Sequence, residues 1–154
     1  MKNLKSLIIC ILIPLGVGAL SALLSGNIMN NYQSMAQPPL SPPGWIFPIV
    51  WAILYILMGI SSWLIYTSDS FYRKSALQVY ALQLVVNFFW TIIFFNLQMY
   101  LFAFIWLLFL LVLIIVMIIA FYRINKTAAY LLIPYLLWVC FAGYLNFGVY
   151  LLNK

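Results

Sequence analysis

The sequence predicts an all-α membrane protein, a bundle of five transmembrane helices in a single domain over residues 1–154, and three observations carry that reading. The first is composition: 68% of residues are hydrophobic and 5% are charged, against roughly 25% charged in an ordinary soluble domain. The second is charge spacing. Charges fall at Lys2 and Lys5, at Asp69, Arg73 and Lys74, at Arg123 and Lys126, and at Lys154, which leaves 6–68, 75–122 and 127–153 uncharged. About 20 apolar residues cross the ~30 Å hydrocarbon core, so these intervals hold two, two and one spans. The third is the polar, proline-rich run GNIMNNYQSMAQPPLSPPG at 26–44, which cannot continue a helix and divides the first interval.

The elements follow in order. Span 1 lies near 7–25, and a loop over 26–44 leads to span 2 near 45–67, where Ser41 is placed to cap the helix with Pro42 as its first residue. Span 3 covers 76–96 and span 4 covers 100–121, separated by a tight turn that Asn96, Gln98 and Tyr100 mark. Span 5 runs from about 128 to 152, with a kink expected at Pro134. The first 25 residues also carry features of a signal peptide, namely Lys2 and Lys5, an apolar stretch and the small-residue site Ala19-Leu20-Ser21. A retained span is the reading adopted. Cys10 and Cys140 fall inside spans, where a thiol packs as a small apolar residue.

Six of the seven basic residues lie on the N-terminus, the 68–75 loop and the 122–127 loop. The positive-inside rule therefore places the N-terminus in the cytoplasm and the C-terminus outside, in a bacterial cell membrane. With one acidic residue and no His, paired-carboxylate hydrolysis, a His base and His/carboxylate metal ligation have almost no parts. No metal site and no intrinsic cofactor are expected. The net charge of +6 is topogenic rather than a basic face for nucleic acid.

Polar residues at mid-span avoid lipid by facing other helices or a cavity. Span 2 sets Pro48, Trp51, Tyr55 and Ser62 near one face, and span 3 does the same with Gln83, Asn87, Trp90 and Phe94. Span 5 sets Pro134, Trp138, Ala142 and Asn146 four apart, a stripe that drifts slowly around the helix. Together the stripes describe the wall of an intramembrane pocket with flat aromatic faces, a small residue that opens volume, and a few amides. That lining suits a planar, mostly apolar ligand. The alternative is that the amides tie helices together and the tryptophans form interfacial belts. The 26–44 segment reads as a lid over the outward mouth, mobile around Asn30 and Asn31 and stiff around Pro38-Pro39 and Pro42-Pro43, with Tyr32 as its aromatic.

Three motifs resemble the TspO/MBR family of tryptophan-rich sensory and translocator proteins, once called peripheral benzodiazepine receptors. PPLSPPGWIFPIVWAILYILMGISSWLIY (38–66) is similar to the family's proline loop and second helix, QLVVNFFWTIIFF (83–95) to its third-helix signature, and PYLLWVCFAGYLN (134–146) to its fifth. The resemblance implies a five-helix bundle, usually dimeric, whose pocket beneath the first loop binds porphyrins such as protoporphyrin IX, haem, and synthetic isoquinoline or benzodiazepine ligands. It carries the ligand-facing role onto Tyr32, Pro42, Trp51, Tyr55, Asn87, Trp90, Trp138 and Ala142, with Asn146 and Phe147 deeper in the pocket. Gln83 joins them from the stripe on span 3. The ending LNFGVYLLNK has Phe147 where the family's sterol segment has Tyr and lacks its Arg, so sterol binding is not expected.

Three functions compete. The first is a receptor or carrier of a lipophilic tetrapyrrole, held by stacking rather than by iron ligation, since His is absent. The second is a light-dependent enzyme that degrades protoporphyrin IX, with Trp51 and Trp138 as electron donors. The third is a ligand-free membrane assembly factor. Proton-coupled export of cations would need a mid-membrane carboxylate, and Asp69 sits between spans. Gly18, Ala22 and Ser25 form a small-residue face available for dimerisation or for packing within one bundle.

Overall fold

The structure is a computed structural model that describes residues 4–26 and 28–153; Lys2 and Lys154, which enter the orientation argument, lie outside the described residues. Its helices are α1 (Leu4–Leu24), α2 (Ile28–Ser34), α3 (Ile46–Tyr66), α4 (Arg73–Thr91), α5 (Tyr100–Tyr122), α6 (Lys126–Tyr130) and α7 (Ile133–Asn153), with a π-turn over Ile92–Asn96 after α4. Among the described residues, five helical segments are long and apolar enough to cross a membrane, the fifth being α6 and α7 taken together.

Helix ends solve the same problem in different ways, because the last carbonyls and first N–H groups of a helix lack partners. At the end of α3, the Thr67 and Ser68 hydroxyls donate to the Trp63 and Ile65 carbonyls, and the Arg73 guanidinium donates to the Tyr66 and Ser68 carbonyls. At the start of α6, the Asn125 side chain accepts from the Ala128 N–H. The start of α3 corrects the sequence reading. Ser41 does not cap it: the helix begins at Ile46, and the Ser41 hydroxyl donates to the Pro38 carbonyl at 2.7 Å. Pro42 and Pro43 instead form an extended approach whose Pro43 and Gly44 carbonyls take up the Ile46 and Phe47 N–H groups.

Three further differences are local. The segment expected as a loop mobile around Asn30 and Asn31 contains α2, and Asn31 donates to the Phe95 carbonyl at 2.9 Å. The third span does not stop cleanly: it widens into the π-turn, whose Leu97 N–H reaches Ile92, and Gln98 then turns the chain at φ +54°. The kink of the fifth span is a break at Leu131 and Leu132, just before Pro134, which has no N–H to give the preceding turn.

Packing explains which helix goes where. On α5, Ala103, Leu107, Leu110, Ile114, Met117 and Phe121 are buried at alternating spacings of four and three, a seam that lies against α4 and α7. Helix α1 lies along α3, where glycine lets backbones meet: a Cβ on Gly59 would stand 2.4 Å from the Ile11 Cα. Further along, one on Gly18 would stand 2.3 Å from the Tyr55 ring. The indole Nε1 of Trp63 donates to the Ser6 hydroxyl at 2.9 Å, and the Ser21 hydroxyl donates to the Phe88 carbonyl. Residues 4–24 are thus built into the bundle, with Gly18 of the small-residue face against Tyr55.

Candidate functional site

A cavity of about 480 Å³ lies between α1, α3, the end of α4, and α7, with the lid helix α2 and the proline strap above it. Each wall follows from a helical face. Helix α3 contributes Phe47, Pro48, Trp51 and Tyr55; α4 and its π-turn contribute Trp90, Phe94 and Phe95; α7 contributes Trp138, Ala142, Leu145, Asn146 and Val149. Helix α1 closes the remaining side with Gly18, Ala19 and Ala22, whose small side chains leave the volume open.

The rings are fixed by one another. Trp51 stacks on Tyr55 with centroids 5.4 Å apart, and Phe47 bridges Tyr32 of the lid at 4.9 Å to Trp138 at 5.8 Å. Trp90 stacks on Phe94 at 5.3 Å, and its Nε1 donates to Asn146 Oδ1 at 3.0 Å. Asn146 Nδ2 donates in turn to the Tyr100 carbonyl at 2.9 Å. The Asn146 amide therefore ties α4, α5 and α7 together and sets the plane of Trp90. The Nε1 of Trp138 differs: it is buried and has no partner within the protein.

Of the residues expected to bind ligand, Tyr32, Trp51, Tyr55, Trp90, Trp138, Ala142 and Asn146 border the cavity. Four do not. Gln83 is wholly buried below it, where the Tyr135 hydroxyl donates to its Oε1 at 2.7 Å and its Nε2 points at the Met58 sulfur. Asn87, 1% exposed, donates to the same Tyr135 hydroxyl at 3.0 Å. Both amides tie α4 to α7 through the Tyr135 hydroxyl, and the Asn87 Oδ1 is buried without a partner. Phe147 turns away because one step beyond Asn146 rotates a side chain by about 100°; it packs on Phe104 at 5.0 Å, on the far side of α7. Pro42 contributes its carbonyl, which accepts from the Tyr32 hydroxyl, and so holds the lid rather than bordering the space. Ser62 and Pro134, the lower members of two stripes, also lie off the cavity.

The sequence reading missed Phe47, Phe95 and the role of α1. Phe47 was findable, since it precedes Trp51 by four residues. Phe95, within the π-turn, lies four residues after Thr91, which also borders the cavity. Among the described residues, no group of three His, Cys, Asp or Glu could hold a metal ion. Outside the spans, burial raises the Tyr32 hydroxyl above its ordinary pKa, an effect that the neighbouring Ser41 partly offsets.

Comparison with known proteins agrees with this architecture. The family model of the TspO/MBR family matches residues 10–152. The chain belongs to the TspO/MBR family. It is 35% identical over 157 residues to the "Tryptophan-rich protein TspO" of Chlorobaculum tepidum, covering 99% of this chain and 98% of that one. To the "Translocator protein" of Bos taurus it is 35% identical over 132 residues, covering 84% and 78%, and to the "Tryptophan-rich sensory protein" of Cereibacter sphaeroides 31% identical over 122 residues, covering 79% and 76%. As a TspO/MBR protein with five membrane-length apolar helices, it is an integral membrane protein.

Proposed function

We propose that this TspO/MBR protein is a receptor or carrier that binds porphyrins, protoporphyrin IX and haem among them, and other planar lipophilic molecules in the cavity under the lid. The observation that carries the reading is that Trp51 on α3 and Trp138 on α7 both border the same mainly apolar cavity of about 480 Å³. That volume is within the range of small-molecule sites, about 300–1,000 Å³. Flat rings gain dispersion and quadrupole contacts from offset aromatic faces. Without an imidazole in the chain, iron adds little, so metal-free porphyrin binds at least as well as haem.

A second reading, light-driven degradation of the bound porphyrin, is favoured by the same two indoles. Electron transfer from Trp51 or Trp138 to the photoexcited ring would leave an indolyl radical cation and a porphyrin radical anion, with no acid, base or metal required. Titration of protoporphyrin IX by quenching of tryptophan fluorescence, dark and illuminated, separates the two. Saturation in the dark without chemical change supports binding, and new absorbing products that vanish in Trp51→Phe and Trp138→Phe support the enzyme. No saturable quenching in either condition contradicts both. We further propose that the N-terminus faces the cytoplasm of a bacterial cell, the lid faces outward, and the protein works as a homodimer. The chain's basic residues and its resemblance to the family support these points.

A further inference from the structure

The strap between α2 and α3 contains PPLSPP and is poor in backbone donors. Four prolines remove four N–H groups between 38 and 43, and one of the two remaining, that of Ser41, bonds to the Pro38 carbonyl. Several of the strap's carbonyls are covered as well. Pro39 accepts from the Tyr144 hydroxyl at 2.6 Å, Pro42 from the Tyr32 hydroxyl, and Pro43 and Gly44 from the first N–H groups of α3. In water such coverage is unnecessary, whereas in lipid each uncovered backbone group is costly.

The course of the strap gives its depth. Asn153 clasps Ala36 in both directions, accepting from its N–H at 3.0 Å and donating to its carbonyl at 2.8 Å. Pro38 then lies against Gly148, where a Cβ would stand 2.5 Å from its ring, and Pro39 meets Tyr144. The strap thus runs backwards along α7 from the level of Asn153 to that of Tyr144, about 14 Å at 1.5 Å per residue. That is the level at which α5 begins, since Asn146 bonds to the Tyr100 carbonyl. Just past Pro39 the chain turns through Leu40 in the left-handed conformation, φ +71°, a place that favours Gly or Asn. Leu40 is nonetheless a leucine and is 84% exposed, and Trp45, at the entry to α3, is 62% exposed.

We infer that the proline strap is a membrane-seated element, whose tip inserts Leu40 and Trp45 into the lipid leaflet on the lid side at the boundary between headgroups and acyl chains. The left-handed leucine is kept because its side chain is solvated by lipid, and the strap's N–H-poor backbone permits it to lie there. The lid's strap is therefore anchored in the bilayer as well as clasped to α7. This holds whichever ligand the cavity takes.

The test places a nitroxide at Leu40→Cys, with Cys10→Ala and Cys140→Ala, in protein reconstituted into phosphatidylcholine/phosphatidylglycerol vesicles. The expected result is relaxation by dissolved oxygen that exceeds relaxation by a water-soluble nickel chelate, with the reverse at a Gln33→Cys control on the lid. Equal, water-like profiles at the two sites would overturn the inference. A second variant decides by sign. Leu40→Asn relieves the backbone but carries an amide into lipid, so thermal stability in vesicles falls; a rise would place the tip in water and overturn the inference.

Discussion

Replacing Asn146 by Leu isolates the bond that sets the plane of Trp90. The change removes the acceptor of the Trp90 Nε1–H and the donor to the Tyr100 carbonyl. Trp90 is 7% exposed, so its orphaned N–H regains little water, while the Tyr100 carbonyl is partly buried. An unsatisfied buried donor costs about 1–3 kcal/mol. Within a membrane, a lost interhelical hydrogen bond averages nearer ~0.6 kcal/mol, because the unfolded state in the bilayer also finds partners. Two bonds on one amide therefore place the loss at about 2 kcal/mol. For a chain of this length each kcal/mol moves the melting temperature by about 2–4 °C, so the midpoint drops by about 4–8 °C. The assay is thermal unfolding in nanodiscs followed by near-ultraviolet circular dichroism, paired with a dark porphyrin titration. Affinity falls in Asn146→Leu because Trp90 can rotate into the cavity. The neighbouring change Phe147→Leu, on the opposite side of α7, leaves affinity as it is. An unshifted midpoint with wild-type binding in Asn146→Leu would refute the reasoning, as would weakened binding in Phe147→Leu.

Other expectations follow from the same geometry. Gly59→Ala forces a Cβ against the Ile11 backbone, which cannot yield as a side chain can, and costs at least the ~1–3 kcal/mol of ordinary overpacking; chemical denaturation in detergent measures it. Tyr135→Phe removes the hydroxyl that Gln83 accepts from and Asn87 donates to, lowering stability by about 1–3 kcal/mol while porphyrin affinity stays within about twofold. A ligand without ionisable groups binds with constant affinity from about pH 6 to about pH 9, because the chain has no His and burial holds Tyr32 above the ordinary phenol pKa. A midpoint inside that window, found by repeating the titration across it, would contradict the assignment of the lining.

Much of this molecule was legible because lipid is an unforgiving solvent. Charge-free intervals gave the five spans to within a few residues, and helical spacing selected Trp51, Tyr55, Trp90, Trp138, Ala142 and Asn146, all at the cavity. Spacing fixes the direction in which a side chain points but not its depth. That is why Gln83, Asn87, Ser62 and Pro134, on the same stripes, turned out to lie off the cavity. Phe147 came from resemblance alone, and its direction about 100° from Asn146 already argued against it. The short helix α2 was hidden because seven residues show too little periodicity, and the π-turn because one extra residue leaves no compositional mark. The cap assigned to Ser41 failed for a local reason: its hydroxyl donates to the Pro38 carbonyl, and the first N–H groups of α3 are taken by the Pro43 and Gly44 carbonyls.

The central claim is that a flat apolar molecule occupies the space between Trp51 and Trp138, and filling that space tests it most directly. Ala142 lies in the wall, and Ala142→Phe projects a ring into the cavity without removing any hydrogen bond. Dark titration of protoporphyrin IX into the two proteins, each shown to melt cooperatively, is predicted to give saturable tryptophan quenching in the wild type and none in Ala142→Phe. Equal saturation in both would contradict the account.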